Sequence, residues 1–372
     1  MRLVLLGAGH AHLYTLKRLS RITGRGHDAV LVAPDAFWYS GLATGMLGGR
    51  YPPALDQVDV ATLARRGGGR FVQARAVAMD PMARRVHLDG GGTIPFDVLS
   101  VALGSEPPEL PGGADDPRVY PAKPIPRLRD LRADLEARFA DARGRRRAVR
   151  VVVAGGGATA FEIAANIARL AEVGDGCADI AILAGGRPLA QLPAPAAAAV
   201  IANLRGRGIT VRADARVARI EPGGAVLTDG TRVPFDVLVN ATGLRPNPLL
   251  AAAGLPVDGR GAMVVDACLR SPADPGILGA GDCIALQGHE LPKVGVYAVR
   301  EAPVLFANLL AALGAGSPRP FRPQRVYLWI MNLGDGTGLA VRGGFWWRGR
   351  TALHLKDWLD RRFLSTYRPG PT

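Results

Sequence analysis

Two glycine-rich turns carry the chemistry most open to reading in this sequence. Gly7-x-Gly9-x-x-His12 and Gly155-x-Gly157-x-x-Ala160 each stand where an apolar run ends and a helical pattern begins. A glycine in the first place permits a tight turn, and one in the second lets backbone N–H groups approach a pyrophosphate. The N-terminus of the following helix then favours its negative charge. Dinucleotide binding is the chemistry such a turn serves. The third place, where Gly or Ala packs helix against strand, holds His12 in the first turn and Ala160 in the second. An acid closing the second strand normally holds ribose hydroxyls. After the first turn that place is Ala33, with Asp35 two residues on as the substitute or as a solvated turn residue. After the second come Ala184-Gly185-Gly186-Arg187. No acid stands there, so Arg187 either faces a 2′-phosphate or is one surface arginine among many, and NAD against NADP stays open.

These turns need elements to hold them. Arg2–Leu6 reads as a strand, Leu13, Leu16 and Leu19 mark a helix, and Ala29–Val32 is a second strand. Phe71–Ala76 and Arg85–Leu88 read as a hairpin, and Phe96–Ala102 as a return strand. The Pro/Gly-rich stretch Pro107–Pro126 reads as a crossover linker, followed by a helix over Leu128–Arg143 stopped by Gly144. Then the opening recurs, with a strand over Val149–Val153, a helix over Thr159–Leu170 and a strand over Ile180–Leu183. The recurrence goes further. Pro95-Phe96-Asp97-Val98-Leu99 leads to Gly104, and Pro234-Phe235-Asp236-Val237-Leu238 leads to Gly243, each copy downstream of an Asp-Gly turn. Internal duplication of a Rossmann unit is the organisation this predicts.

Composition narrows the classes. With 372 residues, 48% of them hydrophobic, the chain can bury more than one core. The net charge of +14 comes from 46 Lys plus Arg, of which only Lys17, Lys123, Lys293 and Lys356 are lysine. Such arginine bias, alongside abundant Ala, Gly and Pro, suits a GC-rich coding sequence, and no basic run interleaved with aromatics suggests nucleic acid. Cys177, Cys268 and Cys283 form no CxxC, so neither a disulfide framework nor a zinc site is expected. No run of apolar residues is long enough to span a bilayer, which predicts a cytoplasmic location.

Two Rossmann units in this order, with Val239-Asn240-Ala241-Thr242-Gly243 closing the second, resemble the pyridine nucleotide-disulfide oxidoreductase superfamily. Ser271 through Gly279-Ala280-Gly281-Asp282 resembles its second FAD motif, with Ser271 in place of the usual Thr. Within the superfamily the likeness is to type II NADH dehydrogenase-like proteins, and to the flavoprotein domain fused ahead of selenide, water dikinase. It rests on Gly9-His10-Ala11-His12, Tyr39-Ser40-Gly41, Lys123-Pro124-Ile125, Pro292-Lys293-x-Gly295-Val296 and Lys356-Asp357-Trp358. No kinase domain follows here, so a selenium link stays open. The resemblance implies that Asp282 holds the ribityl chain of FAD. It also implies that Lys293 to Val296 open a helix aimed at the flavin ring, with Lys123 a second candidate cation. It places Glu162 near nicotinamide and flavin, where a first-turn acid favoured by the helix dipole explains it as well.

The expectation is an α/β chain of two interleaved Rossmann-like (FAD/NAD(P)-binding) domains and a small C-terminal cap. The FAD-binding domain comprises 1–115 and 236–318, the NAD(P)-binding domain 116–235 and the cap 319–372. The expected activity passes hydride from NAD(P)H to FAD, with Lys293 and Glu162 as catalytic residues, and electrons on to a quinone or other small acceptor. Gly7, Gly9, His10, His12, Asp35, Ser40, Gly104, Lys123, Gly281, Asp282 and Val296 are expected at the flavin, and Gly155, Gly157, Ala160, Arg187 and Gly243 at the second dinucleotide. A degenerate nicotinamide site serving another donor, as in sulfide:quinone reductases, is the alternative, and a non-catalytic flavin-bound partner is a second. No cysteine pair falls in 36–60, so direct transfer from flavin to acceptor is expected, with the cysteines as small hydrophobes. The tail helix over Ala352–Tyr367, with Leu355, Leu359 and Phe363 on one face, leaves open peripheral contact with the inner face of a membrane. A homodimer is equally open.

Overall fold

In the computed structural model, which describes residues 1–145 and 147–368, two five-stranded parallel sheets organise the chain. The first has the order Ile277–Gly279, Val98–Val101, Arg2–Leu6, Asp28–Ala33, Arg70–Gln73. The second has the order Val119–Pro121, Val237–Asn240, Val149–Ala154, Ala178–Leu183, Thr210–Arg212. The plan is the same twice: the opening strand is central, with its return strand on one side and the second strand on the other. Leu3 to Leu6 and Val151 to Ala154 are fully buried, as unbroken apolar strands must be when helices cover both faces. Beside the return strand, the first sheet takes Ile277–Gly279 from downstream of both repeats and the second takes Val119–Pro121 from the linker between them. The α/β class and the interleaving agree with the sequence reading.

The duplicated Pro-Phe-Asp-Val-Leu segment has a structural cause. Asp97 accepts a hydrogen bond from the Arg2 backbone N at 2.5 Å, and its own N donates to the Arg2 carbonyl at 2.9 Å. Asp236 makes the same pair with Arg150, at 2.9 and 2.9 Å. One side chain thus sets where each return strand begins beside its opening strand, fixing register Leu3↔Val98 and Val151↔Val237.

Several expectations give way. Phe71–Ala76 is not one strand of a hairpin. Arg70–Gln73 joins the parallel sheet, the chain breaks at Ala74-Arg75, and Ala76–Asp80 starts an antiparallel meander with Arg85–Leu88 and Thr93–Pro95. The linker is not structureless, since Val119–Pro121 pairs with Val237–Asn240. That pairing also extends the second unit to residue 240, beyond the boundary drawn at 235. The long helix spans Pro126–Arg145, running through Gly144.

The cap is a three-stranded antiparallel sheet, Leu328–Asn332, Gly338–Arg342 and Phe345–Gly349, followed by the helix Arg350–Tyr367. Its buried face is not the Leu355–Leu359–Phe363 stripe. Leu353, Asp360, Leu364 and Tyr367 are buried, whereas Leu359 and Trp358 are exposed. Asp360 reaches the interior because it has partners there, described below.

Asp236 offers a direct stability test. Burial alone would raise its carboxyl, but the hydrogen bonds and charges of Arg150 and then Arg147 hold it down at about 2. The stabilisation is present above the ordinary carboxylate range and is lost as pH falls through about 2. The arginines are half exposed, so screening trims the effect. Asp236→Asn is expected to lower unfolding free energy by about 1–2 kcal/mol at pH 7. Denaturant melts of both proteins at neutral pH and near pH 3 check that the gap narrows with acid.

Candidate functional site

The first glycine turn leads into the helix His10–Lys17, whose N-cap, Gly9, supplies no side-chain hydrogen bond to the first turn. Gly7 has φ +88°, and a β-carbon built on Gly7 or Gly9 would stand 2.6 Å from the Ala102 carbonyl oxygen. Only glycine fits there, and the bare backbone at a helix N-terminus is what a pyrophosphate needs. The turn opens onto a cavity of about 460 Å³, within the range of cofactor sites. Gly7, Gly9, His10, Asp35, Ser40, Gly104, Lys123, Gly281 and Asp282 all line it. Asp35 accepts from the Trp38 indole at 3.1 Å and is otherwise exposed. His10 sits edge-on to Phe37, with centroids 4.8 Å apart. Burial, and then Lys123, pull its pKa down to about 4 against the pull of Asp282, so it is neutral at pH 7.

His12 is a correction. It is buried beneath the turn and does not line the cavity. Its Nδ1 donates to the Gly7 carbonyl at 2.6 Å and its Nε2 accepts from the Ser100 hydroxyl at 2.9 Å. Burial pulls its pKa to about 4 although the Gly7 carbonyl opposes this. The residue replacing Gly or Ala therefore ties the turn to the return strand as a neutral imidazole.

Asp282 receives the Lys123 ammonium and the Ser105 hydroxyl, each at 2.8 Å and both on Oδ2. Burial works against its ionisation, but Lys123 and Ser105 prevail and keep the carboxyl below its usual range. This pair joins the linker to the motif before the helix Gly295–Ala312. The Lys293 ammonium bonds the Ile284 carbonyl and, with Glu301 and Tyr297, lines an adjoining cavity of about 280 Å³ that shares Gly281 and Asp282 with the larger one. Lys123, with Arg75, lines the larger cavity. Val296 packs on the core, while Gly295 and Ala298, its neighbours in the same helix, face the cavity. Cys283 is buried with its thiol pushed up to about 11 by burial, as a small hydrophobe.

The second turn repeats the first. A β-carbon on Gly155 would stand 2.3 Å from the Ala241 carbonyl oxygen. Gly157 caps the helix Ala158–Val173 without a side chain, and Ala160 is buried against the sheet. Gly243 has φ +133° in open space. Arg187 is exposed beyond the end of the second strand. Arg216, which the sequence reading missed, lies against Gly185, with its guanidinium donating to the Gly185 carbonyl at 3.4 Å. No local pattern marks Arg216, because it arrives from the next strand region.

Glu162 does not line the cavity. It sits where both units meet the cap, accepting from the Asn332 backbone N at 2.8 Å and from Thr44 at 3.4 Å. Burial raises its carboxyl against the charge of Lys356 and those hydrogen bonds. Around it lies a cluster unseen in the sequence. The Tyr39 hydroxyl donates to Asp360 at 2.8 Å, and Lys356 donates to the other Asp360 oxygen at 2.7 Å and to the Gly41 carbonyl. Tyr39 stacks on Phe363 at 4.8 Å. Asp56 is fully buried beside them, its carboxyl pushed up to about 8 by burial and then by Asp360, against Lys356 and Arg368.

Two predictions follow from these geometries. Asp282→Ala removes the partner of Lys123 and Ser105, and purified protein is expected to hold flavin about 10- to 100-fold more weakly. Fluorescence titration of flavin into apoprotein measures this. Asp56 binds a proton when folded that it lacks when unfolded between its ordinary range and about pH 8, so folding stability falls as pH rises through that window. Asp56→Asn, which cannot ionise, is expected to exceed the parent at pH 9 by on the order of 3–5 kcal/mol and to match it near pH 4. Thermal melts at the two pH values decide it.

The model of the pyridine nucleotide-disulphide oxidoreductase family matches residues 1–302. The nitric oxide reductase FlRd-NAD(+) reductase of Aeromonas hydrophila is 30% identical in an alignment 342 positions long that covers 86% of this chain and 78% of that protein. The demethylphylloquinone reductase NdbB of Synechocystis is 27% identical in an alignment 395 positions long, gaps included, that covers 99% of this chain and 92% of that one. The sulfide:quinone oxidoreductase structure from Aquifex aeolicus superposes with a TM-score of 0.81 at 18% identity, covering 99% and 91% of the two chains, and so shares the fold. Members are FAD-containing, NAD(P)H-dependent oxidoreductases. With its paired glycine turns and interleaved sheets, this chain belongs to the pyridine nucleotide-disulphide oxidoreductase family.

Proposed function

We propose that the chain takes hydride from NAD(P)H onto FAD and passes the electrons to a quinone or another small acceptor. The observation that carries this reading is the larger cavity, which gathers the first glycine turn, Lys123, Asp282 and the N-terminus of Gly295–Ala312 around one volume. Bound there, the flavin supplies a two-electron centre that accepts hydride at one position. The chain's own groups do the rest. Gly7 and Gly9 present backbone N–H groups to the pyrophosphate, and Asp282, fixed by Lys123 and Ser105, holds sugar hydroxyls. The positive end of Gly295–Ala312, uncapped by any side chain, stabilises negative charge at the ring. Neutral His10 adds no charge to the cavity wall.

The thiol arrangement supports direct transfer to the acceptor. Cys283 is buried and far from ionised, Cys268 is half-buried and Cys177 is exposed, and all three are free. A lipid-borne acceptor suits the cap, where Phe345, Trp358 and Leu359 are exposed and Arg362 lies over the Trp358 ring. Among the described residues no helix is long and apolar enough to cross a membrane, so that contact would be peripheral. At the second turn, Arg187 and Arg216 occupy the region where a carboxylate would hold a ribose 2′-hydroxyl, which favours NADPH. The same missing carboxylate motivates a second reading, in which a donor other than a nicotinamide reduces the flavin.

Purified protein is expected to be yellow, to bleach anaerobically with NADPH and to regain colour with a water-soluble quinone. Arg216→Ala should raise the KM for NADPH about 10-fold while leaving that for NADH within about twofold. Flavin left unbleached by both nicotinamides would remove the hydride half of the proposal in favour of the second reading.

A further inference from the structure

One carboxylic acid next to the cofactor cavity has no part in binding or hydride delivery. Asp56 ends the short turn Pro53–Asp56, is fully buried, and neither carboxylate oxygen has a hydrogen-bond partner among the described residues. An ionised carboxylate in such a place bears its desolvation cost without compensation. Its backbone ties it to the cavity wall, because the Asp56 carbonyl accepts from the Tyr39 N at 2.8 Å, and Tyr39 lies between the cavity-lining Trp38 and Ser40.

The charged groups around it are few. The C-terminal helix contributes Asp360 and Lys356, which share a hydrogen bond, and Arg368 follows that helix, donating to the Leu55 carbonyl at 2.6 Å. Tyr39 joins the cluster through its hydroxyl, which donates to Asp360 at 2.8 Å. Glu162, from the second unit, faces the same Lys356–Asp360 pair. Two further carboxyls therefore compete with Asp56 for the one lysine at the centre of the cluster.

We propose that Asp56 is a redox-linked proton site, taking one proton from water when negative charge enters the cofactor cavity and returning it when that charge leaves. Hydride carries two electrons and one proton into the cavity, leaving one negative charge there. That charge raises the proton affinity of a nearby carboxylate in a low-dielectric interior, where salt screens little. The O–H bond formed on Asp56 uses a proton from solvent, and it breaks again when the electrons pass to the acceptor. Asp56 is a charge-compensating group and touches no substrate. Burial and then Asp360 push its carboxyl up to about 8, so the linkage is exposed on the alkaline side. The proposal rests on flavin occupying the cavity and not on the identity of the acceptor.

The test is a spectroelectrochemical titration of the flavin-loaded chain from about pH 6 to 10, with reduced-minus-oxidised infrared spectra at the alkaline end. The parent is expected to take up one proton per two electrons below the break and two above it, and to gain a carboxylic C=O band on reduction. Asp56→Asn should keep one proton throughout and show no such band. Asp360→Asn removes a negative neighbour and should move the break to lower pH, which keeps the test decisive if the first variant folds poorly. Matching slopes and spectra in parent and Asp56→Asn overturn the proposal, as does an unmoved break in Asp360→Asn. Failure of the parent to load flavin defeats the flavin reading, and this inference with it.

Discussion

The carbonyl oxygen at the end of each return strand occupies the space that a β-carbon would need on the glycine turn opposite. In the first unit Ala102 approaches both Gly7 and Gly9 in this way, and in the second Ala241 approaches Gly155. The turn can nest against the strand only as bare backbone, and bare backbone at a helix N-terminus is what an anionic pyrophosphate requires. The contact is held from both ends. Ala102 N donates to the Leu6 carbonyl and Gly7 N to the Val32 carbonyl, with Ala241 and Gly155 repeating the pattern at Ala154 and Leu183. The Asp97 and Asp236 clamps fix where the return strands begin. A change of register in either sheet would remove the binding surface together with the packing.

On that frame the two units diverge. The first is sealed from below by His12, a neutral imidazole bridging Gly7 and Ser100, and receives Lys123 and Asp282 from distant segments. The second keeps the ordinary Ala160 and ends in arginines. Duplication thus supplied two similar cradles, and side chains within the repeats, with Lys123 and Asp282 added to the first from outside, gave them different chemistry.

The cap contributes more than cover. Its helix buries Asp360 and Lys356 as an ion pair, a costly arrangement unless remaining hydrogen bonds are filled. Tyr39 and Gly41 fill them from the first unit, and Glu162 and Asn332 join the second unit to the cap sheet. The polar junction therefore lies where all three parts of the chain meet, with Tyr39 between the cavity-lining Trp38 and Ser40.

The sequence by itself determined the features written in short spans. The glycine turns, the apolar strands before them and the repeated Pro-Phe-Asp-Val-Leu segment each depend on residues within one strand–turn–helix, and local sterics and periodicity specify them. The tertiary structure decided which distant charges meet. Lys123 and Asp282 are far apart along the chain, and nothing local favoured Lys123 over Lys293, which has its own carbonyl to bond. Asp360 fell on the polar side of the helical pattern, yet its partners come from the other end of the chain and draw it inside. Asp56 carries no mark in the sequence, and only packing removed its solvent. Burial and long-range pairing set the energy of a charge, and neither is encoded in spacing along the chain.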